Sequence, residues 1–281
     1  MNSQFLSANN ISNILRQASY TAIAAVGMTM VIIIGEIDLS AGSLVCAAGL
    51  VGAVVCKNTD NVFFSVIAAI AVGAVIGTVN GVLCAIGKLP GFIASLASMT
   101  VLRGLAYIVT GGNSVVWSNE SFTMIGTGYI AGIPVPVMIM VIVIIFGVIL
   151  TSKTRFGRYI YSVGGNMEAS RWSGIAVEKV KILVYMIMGV LTAIAGLIIT
   201  TRLGSGQPSA GLNFEMDCIT AAVVGGTSMS GGRGKVMGTI VGVLLLTVLD
   251  KWNDTGGNGI HIGSRCSRES IIVISVACGY S

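Results

Sequence analysis

The chain has 281 residues, of which 54% are hydrophobic and 10% charged, and its mean hydropathy is +0.90. A soluble domain needs about 25% charged residues to solvate its surface, so this composition excludes a soluble fold and indicates an all-α polytopic membrane protein. The net charge of +5 is no nucleic-acid signature, because the basic residues gather in one loop and read as bilayer orientation.

The N-terminus, MNSQFLSANNISNILRQAS, is polar and amphipathic and lacks the basic-then-apolar pattern of a signal peptide. A membrane crossing needs about 20 mostly apolar residues. In chain order the candidates are 18–35, a short one at 41–56, then 62–86, 91–110 with Arg103 inside it, 133–150, 182–200 and 236–249. The stretch LNFEMDCITAAVVGGTSMSGGRGK starts as a helix and dissolves into glycine, which predicts a short or half helix. Irregular backbone at membrane depth survives only against protein or a water-filled cavity.

Six of the 16 basic residues lie between Lys153 and Lys181, so the loop 152–181 is expected on the cytoplasmic side. Counting back puts the turn GEIDLS inside and residues 1–17 outside. An outside N-terminus with no signal peptide predicts a missing first span.

Gly73, Gly77 and Gly81 recur every four residues and share one helix face, as do Gly238 and Gly242. Such stripes let helix backbones approach closely, which predicts packing faces. The stretch GGTSMSGGRGK fails as a phosphate loop, because Val236 follows Lys235 where Ser or Thr is required. A glycine turn beside a membrane helix is the reading that fits. His261 is the only histidine and the six cysteines show no CxxC spacing. No metal, cofactor or catalytic residue is therefore assigned.

Glu36 and Asp38 in GEIDLS are acidic groups near membrane depth, where they can mark an ion or substrate path. The preferred reading is an interfacial turn with Asp38 or Ser40 capping the next helix. Asn80, Ser98 and Thr220 are polar positions on apolar helices. They fit a translocation path or interhelical hydrogen bonds, and the sequence leaves both open. The island GGNMEASRWSG, from Gly164 to Gly174, has helix formers at Met167, Glu168, Ala169 and Arg171 and a stop at Gly174. It predicts a short exposed helix placed to dock a cytoplasmic partner, or an ordinary surface loop.

The segments GRYIYSVGGNMEASRWSGIAVEKVKILVY, AAVGMTMVIIIGEIDLSAGS, GFIASLASMTVLRGLAYIVTGG and AAVVGGTSMSGGRGKVMGTIVGVLLL resemble the ribose-type sugar permease subunits of bacterial ABC importers, across about residues 5–250. That family usually has GGIDLS, with glycine where this chain has Glu36. The resemblance implies a single transmembrane permease domain over 1–281 in the bacterial plasma (inner) membrane. The full family fold has about eight to ten transmembrane helices, of which the first and an intact last are expected to be lacking here. It implies a second permease subunit (a homodimer), a cytoplasmic ABC ATPase, an extracytoplasmic sugar-binding protein and surrounding membrane lipid, with no nucleic acid. It makes the island the ATPase-coupling helix, with Gly165, Asn166, Glu168, Ala169, Ser170, Arg171 and Gly174 as its residues. An ion-gradient-driven secondary transporter is the alternative. It would need intramembrane carboxylates beyond Glu36, Asp38, Glu215 and Asp217. A membrane-embedded enzyme lacks a nucleophile–base set. Five of the twenty residues 251–270 are charged, and the mostly apolar run 271–278 is too short to cross a bilayer. The segment 251–281 is therefore expected to be an aberrant tail arising from frame errors, the alternative being a divergent extracytoplasmic loop that ends in a short hydrophobic tail.

Overall fold

The computed structural model describes residues 8–255 as eleven helices and one small ribbon. They are α1 (Ala8–Ile33), α2 (Ala41–Thr59), α3 (Val62–Ala85), α4 (Gly91–Thr110), α5 (Glu120–Thr127), β1 (Tyr129–Ile130), β2 (Ile133–Pro134), α6 (Val135–Lys153), α7 (Arg155–Gly165), α8 (Met167–Trp172), α9 (Val177–Leu203), α10 (Phe214–Val224) and α11 (Val236–Thr255). Among the described residues, α2, α3, α4, α6 and α9 are long and apolar enough to cross a membrane. The other two expected spans are the helices α1 and α11. The antiparallel ribbon pairs Tyr129 with Pro134 and Ile130 with Ile133. Pairing at Ile133 is why α6 starts at Val135, two residues later than the apolar run alone suggests.

Contacts between distant residues show which helix ends share a side. At one end, Arg16 donates to the Thr127 carbonyl, Asn119 to the Asp60 carbonyl, and Val115 bridges Gly206. At the other end, Glu36 meets Lys181 and the Gly91 amide, and the Gly232 amide donates to the Ile33 carbonyl. The basic loop 152–181 belongs to the second end. The chain therefore alternates from α1 through α6, as the loop charges require.

Helix α1 is the centre. Residues 22–33 are all buried, and the sequence IAAVGMTMVII is apolar on every side, as a fully enclosed helix must be. α9, α6, α10 and α11 surround it, with α2 and α3 packed on α9. α3, α4 and α6 bury one narrow face each and leave apolar side chains such as Phe92, Ile108, Ile142 and Phe146 exposed. This is the pattern of a helix facing lipid.

The chain from α9 to α11 is not a plain helix pair. After α9, residues 204–213 form no helix. Gly206 is still at the outer end, beside Val115, whereas Gly211 packs on Gly42 at the start of α2. α10 continues inward from there, so the crossing is half extended and half helical, and α10 is the short helix expected at that place. The glycine turn 225–235 follows, with positive φ at Gly226, Gly231 and Gly232. Only glycine adopts these angles at no steric cost.

α5 and α7 were not foreseen, since neither is long enough to register as a span. α11 runs on to Thr255, so the first residues of the expected 251–281 tail are helical. The rest of that tail, with His261, Cys266 and Cys278, lies outside the described residues, as does the start of the N-terminal segment. Cys46, Cys56, Cys84 and Cys218 are free and buried, small apolar fillers in helix interfaces.

Candidate functional site

The polar island forms α8, held between α7 and α9 at the basic end. Asn166 is its N-cap, and its Oδ1 accepts from the Ala169 amide at 2.9 Å. This satisfies a donor that the first turn would otherwise leave free. Gly174, at φ +81°, ends the segment. Ser170 faces inward: its hydroxyl meets Ser162 Oγ of α7 at 2.8 Å and the Asn166 carbonyl at 2.8 Å. Glu168, Ala169, Arg171 and Trp172 face outward. Arg171 donates to Glu178 of α9 at 2.6 Å and lies 3.8 Å from Glu168. Gly165 is exposed, and a Cβ there would meet nothing.

Trp172 is the residue that sequence reasoning passed over. It is 88% exposed, at the end of a polar helix on the basic face. A large aromatic left in water is a typical anchor for a protein partner. The signal was present as the single Trp of a charged loop, but its orientation was not.

Behind α8 lies a cleft of about 370 Å³, lined by Glu36, Cys84, Lys88, Glu168, Arg171 and Lys181 among others. Glu36 is its inner wall. Its Oε1 accepts from Lys181 Nζ at 2.6 Å and its Oε2 from the Gly91 amide at 2.7 Å, at the start of α4. The residue that departs from the family pattern is therefore bonded to two other helices. Asp38 does not cap α2 in the expected way. Its Oδ1 accepts from the Ser40 amide at 2.8 Å and the Ser40 hydroxyl at 2.6 Å, and Ser40, at the N-cap position, makes no side-chain cap bond. The turn folds on itself, because a short carboxylate reaches the amide two residues on more readily than one in the next turn.

Asn80 and Ser98 come together. Ser98 Oγ donates to Asn80 Oδ1, and Asn80 Nδ2 donates to Ser40 Oγ at 3.0 Å. They join α3, α4 and the GEIDLS turn. Thr220 is apart from them, buried in α10 and bonded to the Met216 carbonyl of its own helix. Gly73, Gly77 and Gly81 lie against Gly189, Tyr185 and Ile182 of α9. Gly238 and Gly242 lie against Gly225 and Ala221 at the end of α10.

Arg103 of α4 explains how the extended part of the α9–α10 crossing is held. Its Nη1 donates to the Pro208 carbonyl at 2.8 Å and to the Ala210 carbonyl at 2.7 Å. Backbone carbonyls outside a helix need such donors where water is absent. The basic residue inside an apolar span is thus structural at this point.

Residues 10–261 match the family described as the branched-chain amino acid transport system / permease component. The chain is 45% identical to the ribose import permease protein of Haemophilus influenzae over 254 residues, 89% of this chain and 79% of that one. It is 43% identical to the ribose import permease protein of Escherichia coli over 276 residues, 97% and 84% of the two chains. It is 36% identical to the xylose transport system permease protein of Haemophilus influenzae over 313 residues, 88% and 82% of the two chains. No solved structure gives a significant match. A permease component is one part of a multi-component transport system and not an enzyme. With its apolar helices and its match over most of its length, the chain belongs to the branched-chain amino acid transport system / permease component family, as a multi-pass inner-membrane permease.

Proposed function

We propose that this chain is the transmembrane permease subunit of an ATP-driven importer for a monosaccharide of the ribose type. The observation that carries the reading is the 43–45% identity to ribose import permeases over 89–97% of the chain. In this reading α8 is the coupling helix. A cytoplasmic ATPase engages its outward face, with Trp172 as the apolar anchor and Glu168 and Arg171 keeping the helix soluble when disengaged. An extracytoplasmic sugar-binding protein delivers the sugar at the opposite end, and a second copy of the chain completes the path. Rigid helices packed at glycine contacts then carry the ATPase's closure to the bilayer core. Asn80 and Ser98 are read as fixing helix register, and Thr220 as a candidate path residue.

The test is reconstitution of the permease with its ATPase and binding protein in proteoliposomes. Uptake of radiolabelled ribose is expected only with ATP inside the ATPase-accessible compartment, and is expected to persist when ion gradients are dissipated. Uptake that needs an ion gradient and no ATP would replace this reading with a secondary transporter.

A further inference from the structure

At the end of the fold that carries α8, two ion pairs on the first turns of α9 lead from α8 to α4 and the α1–α2 turn. Arg171 of α8 holds Glu178 in the first turn of α9 at 2.6 Å. Three residues on, Lys181 holds Glu36 Oε1 at 2.6 Å. Glu36 Oε2 takes the Gly91 amide of α4 at 2.7 Å. The same turn bonds α4 again, where the Leu39 amide donates to Ser95 Oγ at 3.0 Å, and reaches α3 through Ser40 and Asn80. The side chains of Lys181 and Glu36 are only 9% and 13% exposed.

A buried ion pair rarely stabilises a fold more than apolar residues of the same volume would, because both charges lose their hydration. Stability alone therefore does not account for this pair. What it supplies is direction and register. Along its middle α9 meets α3 through close glycine contacts, which have little preferred direction. At Glu36 a bifurcated carboxylate fixes the starts of α9 and α4 to the α1–α2 turn at once.

We propose that Glu36 is the positioning residue that passes movement of α8 to α4 and to the α1–α2 turn, with Lys181 as its partner on α9. This rests on the importer reading given above. α8 and the start of α9 move as one piece through Arg171 and Glu178, and the Lys181–Glu36 pair makes the turn and α4 follow. Loss of the pair disconnects ATP hydrolysis from opening of the path.

The assembled importer in proteoliposomes tests this, with radiolabelled ribose uptake and ATP hydrolysis measured in parallel. In the variants Glu36→Gln and Lys181→Met, uptake per ATP hydrolysed is expected to fall at least about fivefold, the low end of ordinary coupling between sites. ATP hydrolysis and assembly with the ATPase are expected to stay at the unmodified level. Lys181→Arg, which keeps the cation, is expected to retain coupling. Unchanged uptake per ATP in Lys181→Met would overturn the proposal. So would a parallel fall of uptake, hydrolysis and complex yield in both variants, which marks a purely structural pair. Failure of the unmodified importer to take up ribose with ATP would instead count against the importer reading itself, on which the proposal stands.

Discussion

Gly73 of α3 and Gly189 of α9 face each other so closely that a Cβ on either would run into the other's carbonyl oxygen. The contact is reciprocal, and Gly77 repeats it one turn away against the Tyr185 carbonyl. α3 and α9 share the most extensive interface in the fold. Gly73→Leu is therefore expected to separate the two helices and to lower the yield and melting temperature of the detergent-purified protein. Overpacking of this kind costs about 1–3 kcal/mol. Gly165→Ala is the matched control, since a Cβ there meets nothing within 4 Å. It is expected to leave the melting temperature unchanged.

Ala169→Pro removes the amide that Asn166 Oδ1 accepts. The helix loses its cap, worth about 1 kcal/mol, in a segment of only six residues. Membrane insertion and the melting temperature of the permease are expected to persist, while ribose uptake by the assembled importer is lost. Uptake at the unmodified rate would remove α8 from the coupling role. Asn166→Ala is expected to show the same defect more weakly.

Trp172→Ala removes the 88% exposed aromatic of α8 without touching the bonds that fix that helix. Truncating an interface anchor costs about 2 kcal/mol or more, so the affinity of the purified permease for its ATPase is expected to drop by roughly thirtyfold. Binding measured by titration on nanodisc-embedded permease checks this. Affinity equal to that of the unmodified chain would place the ATPase contact elsewhere.

Arg103→Leu strips the Pro208 and Ala210 carbonyls of their donor. Each hydrogen bond to a charged group contributes about 1.5–3 kcal/mol, so a clear loss of thermal stability is expected, smaller for Arg103→Lys. The local readout is hydrogen exchange of residues 204–213, which is expected to quicken ahead of α9 and α10. Equal protection in the variant and the unmodified chain would show that the segment is held by other contacts.

The membrane class and the spans were legible because they follow from one local quantity, the length of apolar sequence between charges. The bilayer enforces that length whatever the tertiary packing. The stop of α8 was equally local, since the Gly174 amide donates to the Arg171 carbonyl three residues back. The glycine stripe was visible as a four-residue period, but the sequence held no indication that α9 was its counterpart.

The rest depended on residues far apart in the chain. Glu36 reads from the sequence as an acidic group in an interfacial turn, because its partner Lys181 is 145 residues away, among the charges of the basic loop. Arg103 has no role legible in its own span, because the carbonyls it holds belong to a segment 105 and 107 residues on. Asn80 and Ser98 were left between a path and a hydrogen-bonded pair until α3, α4 and the GEIDLS turn were brought into one place. Low dielectric makes such polar side chains costly unless paired, so the sequence determined that each needed a partner. Only the packing of helices around α1 decided which partner that was.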